Sequence, residues 1–73
     1  MENKKVNNFM FDEKEKKYSL EVDKIITYKK LKEKIILKFH KKDNFIIIFN
    51  EKTLNNESII TFNEGDIIYL KEY

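Results

Sequence analysis

The stretch Phe45 to Phe49, FIIIF, is apolar at five successive positions in a chain of only 73 residues. Its β-branched and aromatic side chains suit a strand. Successive strand residues point to opposite faces of a sheet, so this strand is apolar on both. A strand in a small sheet ordinarily alternates, because one face meets the core and the other meets water. Either this chain covers both faces itself, or one face stays apolar for something outside it. Length argues against the first: a domain of this size buries only about 60% of the surface its unfolded chain exposes, too little to cover a sheet on both sides.

Cysteine is absent, so neither disulfides nor a thiolate metal site can supplement the core, and stability rests on packing. No apolar run approaches the roughly 20 residues that span a bilayer, and MENKKVNNFMF lacks the apolar centre of a signal peptide. These features lead us to expect one domain over residues 1–73, intracellular and cytoplasmic, with a nuclear location as the alternative. Every basic side chain is lysine, and arginine, alanine, proline and tryptophan are missing, a bias of the kind an A/T-rich genome produces. Lysine number therefore carries little weight, and a net charge of +2 is too small to imply a polyanionic partner. The chain is not expected to be disordered, since 41% of it is hydrophobic and those residues are patterned.

VNNFMF at 6–11, the polar DEKEK and KYSLEVD at 17–23 read as a hairpin with one wet face, in which Tyr18, Leu20 and Val22 alternate with Ser19 and Glu21. Phe9 and Phe11 are expected to align with the inward side of the second strand. The period then changes. Tyr28, Leu31, Ile35 and Phe39 fall at steps of three and four, predicting a helix over about 28–39 with Thr27 as its N-cap. His40, Lys41 and Lys42 follow at the end where cations suit the helix dipole. FIIIF comes next as a central strand, then NEKTL as a turn into a very short strand ending at Leu54. NNESIITFNEG, with Ile59, Ile60 and Phe62, reads as an irregular connection. Gly65 permits a positive φ before the last strand, DIIYLKEY. The expected order is ββαβ(β)β.

YSLEVDKIITYKKLKEKI resembles the second strand and helix of ubiquitin, IIIFNEKTL its strand-turn-strand, and FNEGDIIYL the family's last strand. Nearly the whole chain thus resembles the ubiquitin-like β-grasp fold, an α+β arrangement in which a mixed sheet of four to five strands packs on one helix. The resemblance implies that Ile47 and Phe49 point inward, while Ile46 and Ile48 point outward beside Tyr69, with Lys52 on the rim, forming a face that binds a protein partner. Conjugated members and sulfur-carrier relatives end in a diglycine, whereas this sequence ends YLKEY, so a non-conjugated member is expected. NNESIITF is also shorter than its counterpart in ubiquitin. Two non-conjugated groups are similar in size: small splicing-associated ubiquitin-like proteins, whose terminal double tyrosine is absent here, and the ubiquitin-like accessory proteins of bacterial type VII secretion.

Catalytic chemistry has little to stand on. His40 is the sole histidine and reads as a helix-end cation, while Ser19 and Ser58 have no local motif supplying a base. DEKE at 12–15 and EGD at 64–66 lack calcium-loop spacing and read as turn chemistry. One glycine cannot build a phosphate cradle. No enzyme activity, cofactor or metal is expected. A second candidate surface is the lysine face of YKKLKEK and KFHKK, comprising Lys29, Lys30, Lys34, Lys38, Lys41 and Lys42, which would meet nucleic-acid phosphates or another acidic surface. The favoured expectation is a non-catalytic protein-interaction module acting through the outer face of the third and fifth strands.

Overall fold

The computed structural model describes residues 4–73. Its eight elements are β1 (Lys5–Phe11), β2 (Lys17–Asp23), β3 (Ile25–Thr27), α1 (Tyr28–Phe39), β4 (Phe45–Phe49), β5 (Lys52–Thr53), β6 (Ile59–Thr61) and β7 (Ile67–Glu72). Five strands form a mixed sheet in the order β2-β1-β7-β4-β5, with β1 and β7 parallel, and β3 pairs with β6 in a separate two-stranded sheet. One helix packs on the five-stranded sheet, which is the ubiquitin-like β-grasp arrangement.

The helix forms where its period placed it. Thr27 is extended, and its hydroxyl accepts from the backbone N–H of Lys30 at 3.3 Å, satisfying one amide of the first turn. At the other end His40 turns left-handed (φ 54°), and its N–H donates to the Ile36 carbonyl, ending the helix. Between the caps, Tyr28, Leu31 and Ile35 are buried against the inner side of the sheet. That side carries Leu20 and Val22 from β2, Val6 and Met10 from β1, Ile68 and Leu70 from β7, and Phe45 and Ile47 from β4. Ile26, Ile60 and Phe62 complete the core.

Two expectations are corrected. Phe9 and Phe11 do not face inward: Met10 stands opposite Tyr18, Asn8 opposite Leu20 and Val6 opposite Val22, so the inward face of β1 is Val6, Asn8 and Met10. Directly opposed residues project from the same side, and Leu20 and Val22 being buried commits their β1 partners to the core. Asn8 is tolerated there because its Nδ2 donates to the Asn63 carbonyl at 3.2 Å, tying β1 to the loop before β7. The connection after β5 is also more regular than expected. Ile59–Thr61 is a strand whose partner, Ile25–Thr27, is 32 or more residues away in sequence, beyond the reach of local pattern reasoning.

Three turns between strands use positive φ, the first of them at Glu15 (φ 61°) between β1 and β2. Gly65 (φ 84°) donates its N–H to the Asn7 carbonyl at 2.8 Å, which brings the loop onto β1. The β4–β5 hairpin turns through Asn50 and Glu51, both left-handed at φ 53° and 65°. That geometry suits a two-residue hairpin loop but disfavours a glutamate. Glu51→Gly is expected to stabilise the fold by about 1 kcal/mol, since a left-handed non-glycine residue costs roughly that much. The melting midpoint should rise by about 4–8 °C. A lowered midpoint would mean that the Glu51 side chain makes a compensating contact.

Candidate partner-binding face

Strand register decides which side chains leave the core. Because Met10, Ile68, Leu70, Phe45 and Ile47 point toward the helix, the residues between them point away. In this register Phe9 stands opposite Ile67, Phe11 opposite Tyr69, and Tyr69 opposite Ile48, while Ile46 stands opposite Lys71. Three adjacent strands therefore present Phe9, Phe11, Ile67, Tyr69, Ile46 and Ile48 as one outer surface. Tyr69 is 51% exposed and Ile67 41%, whereas Phe9, Phe11, Ile46 and Ile48 are half-buried by one another and by their neighbours. The rings of Phe11 and Tyr69 stack with centroids 5.9 Å apart and planes 24° apart. The Lys17 ammonium lies 4.1 Å from the centre of the Phe9 ring, at the border of the surface.

Of the four residues expected to form this site, the structure brings together Ile46, Ile48 and Tyr69. Lys52 is elsewhere. It is in register with Phe49, whose ring meets Phe62 at 4.9 Å on the helix side, and it lines a groove with Phe49, Leu54 and Ile59. Thr53 is the β5 residue opposite Ile48. Conversely, Phe9, Phe11 and Ile67 enlarge the surface beyond the expected set. A signal for the two phenylalanines was present in the sequence: joining strands 6–11 and 17–23 through five turn residues places Phe11 opposite Lys17, and hence Met10 opposite the inward Tyr18.

The β1–β2 turn at one end of this surface is held by Asp12. Its Oδ1 accepts from the backbone N–H groups of Lys14 and Lys16, both at 2.9 Å, and its Oδ2 accepts from the Tyr18 hydroxyl at 3.2 Å. The bond from the Lys16 amide, followed by those from Lys14 and Tyr18, holds the Asp12 carboxyl below its ordinary range against a smaller opposing effect of desolvation. Burial, and then the bond to Asp12, raises the Tyr18 phenol. The Glu13 carboxylate accepts from the Glu72 N–H, which fastens the same turn to the end of β7.

The six lysines expected as a basic helical face do not form one surface. Lys30, Lys34 and Lys38 run along the flank nearest β2, where the Lys38 ammonium donates to the Ser19 carbonyl at 3.2 Å. There Asp23 is held below its ordinary range first by its bond to Lys5, and more weakly by Lys34 and Lys30. Lys29 lies on another flank, lining a hollow with Tyr28, Lys32, Glu33 and Ile36. Lys41 pairs with Glu72 at 3.6 Å, and Lys42 is exposed beyond the helix. Among the described residues no cluster of His, Cys, Asp and Glu could hold a metal ion, and no helix is long and apolar enough to cross a membrane.

The chain has the ubiquitin-like β-grasp fold, and comparison with solved structures agrees with that assignment. A chain in the crystal structure of a pParkin-pUb-UbcH7 complex superposes with a TM-score of 0.80 at 15% identity, over 94% of this chain and 23% of that one. The N-terminal ubiquitin-like domain in the 4931431F19Rik protein superposes with a TM-score of 0.81 at 14% identity, over 94% of this chain and 75% of that one. This chain thus spans about a quarter of the length of the first of these. No family model and no curated protein matches the sequence.

Proposed function

We propose that this chain is a non-catalytic protein-binding module that docks its partner on the outer face of the β1-β7-β4 sheet. The observation that carries this reading is the register of Phe11, Tyr69 and Ile48 side by side on three strands, with Phe9, Ile67 and Ile46 extending the row. Scattered apolar residues are ordinary on a protein surface, but a contiguous set rimmed by polar groups is characteristic of interaction sites. The aromatic and isoleucine content is that of the desolvated centre of an interface. The likeness to a chain solved within a complex is in keeping with this reading.

Ile48→Asp tests it. The carboxylate would stand on the solvent side of β4, so the melting midpoint should stay within a few degrees of the parent. In an apolar contact the same charge would be desolvated without a partner, and binding should be lost. The measurement is a pull-down with parent and variant side by side, followed at increasing salt. Proteins retained by the parent and lost by the variant should stay bound between about 50 and 200 mM salt, because apolar contacts change little over that range while phosphate-driven binding collapses. Retention equal in both proteins and lost on adding salt would instead favour Lys30, Lys34 and Lys38 as the contact, with nucleic acid or another acidic surface as the ligand.

A further inference from the structure

Lysines stand over five of the ten aromatic rings of this protein. Besides Lys17 at Phe9, Lys16 lies 5.4 Å from the centre of Tyr18, Lys38 5.6 Å from Phe39, and Lys32 5.6 and 5.1 Å from Tyr28 and Phe45. Among the described residues no such cation covers Phe11 or Tyr69, although this stacked pair lies at the most exposed end of the outer surface. Acidic residues border it instead. Phe11 and Tyr69, with Asp12 and Glu15, line a hollow of about 420 Å³. Asp12 is fixed by the two turn amides described above, and the Glu15 N–H donates to the Asp12 carbonyl at 3.0 Å, so the turn sets both residues beside the rings. Among the described residues Glu15 has no ion-pair partner.

Ring faces attract a cation, and a neighbouring carboxylate adds a second attraction of the same sign. A planar guanidinium can use both at once, stacking on a ring while its N–H groups fork to a carboxylate, whereas an ammonium is a point charge that cannot. We propose that the hollow between Phe11, Asp12, Glu15 and Tyr69 receives an arginine side chain of the partner protein, its guanidinium lying over the two rings and pairing with Glu15. This rests on the outer face being the docking surface. It gives that surface a preference its apolar residues cannot supply, because a neutral side chain in the same place would leave the Glu15 carboxylate against the contact without an ion-pair partner.

The test is a titration of the isotope-labelled chain with N-acetyl-arginine methylamide, read by amide chemical shifts, with N-acetyl-citrulline methylamide as an uncharged probe of the same shape. The expected result is saturable shifts confined to residues 11–16 and Tyr69, with arginine binding about threefold more tightly than citrulline. Glu15→Gln should reduce that difference, leaving only what the ring faces supply, while leaving the melting curve unchanged. Equal binding of the two probes, shifts spread over the whole surface, no shifts, or a Glu15→Gln variant with the full parental preference for arginine would each overturn the proposal. Ile48→Asp lies outside the hollow and separates the two readings. Failed arginine binding alongside partner loss in Ile48→Asp sinks the arginine proposal alone. Arginine binding alongside partner capture untouched by Ile48→Asp sinks the docking reading, and with it the partner as the source of the arginine.

Discussion

Ile47→Asp is expected to unfold the protein at room temperature, although the change one position along, Ile48→Asp, should leave it folded. Ile47 is fully buried, stands opposite Leu70 of β7, and belongs to the cluster that contains Leu31 and Ile35 of the helix. Replacing it removes a core side chain, a loss of about 2–5 kcal/mol. It also places an unpaired carboxylate in apolar surroundings, which costs several kcal/mol more or forces the group to take up a proton. Small domains are stable by about 5–15 kcal/mol in total, so the two losses together approach or exceed what holds the fold. Far-UV circular dichroism and a thermal melt on both variants check this. A cooperative melt of Ile47→Asp near the parental midpoint, or unfolding of Ile48→Asp, would show that the faces of β4 are assigned the wrong way round.

The second large effect is expected at Ile35. This residue sits at the middle of the helix's buried stripe, flanked by Tyr28, Leu31 and the half-buried Phe39, and is fully inaccessible. Ile35→Ala keeps the helical propensity, or improves it slightly, so any loss comes from the vacated core volume rather than from the helix itself. The expected cost is about 2–5 kcal/mol, read from the shift of a urea midpoint at constant slope. A loss below about 1 kcal/mol would mean that the neighbouring side chains collapse into the space, which a well-packed interior does not permit.

The helix was legible because its signals are local. A threonine before the first turn, apolar residues at steps of three and four, and lysines on most of the remaining positions define its ends and its buried side whatever lies nearby. The inward and outward halves of FIIIF followed once the strand was placed beside a helix, since the period of two leaves a single choice of face. The site was less legible. Phe9 and Phe11 are the most apolar alternating pair in VNNFMF and read as core, but the pairing of β1 with β2 turns them outward and puts Asn8 inside. Lys52 immediately follows the left-handed pair Asn50 and Glu51, and pairing with Phe49 sends it to the side opposite Ile48.

What the sequence by itself determined is therefore the first hairpin, the helix with its buried face, the strands β4, β5 and β7, and the surplus of apolar surface on β4, because each depends on periodicity and end signals within a dozen residues; β3 and β6 were not legible. The tertiary structure decided which side chains share a surface. The paired residues of β1 and β7 are 58 apart in the chain, and their parallel pairing, which no local pattern encodes, sets Phe11 against Tyr69. A shift of one residue in that register would have sent the same side chains to opposite faces. The outer surface, and the carboxylate-lined hollow at its end, exist only because packing against the helix leaves this one register able to bury Met10, Ile68 and Ile47 together.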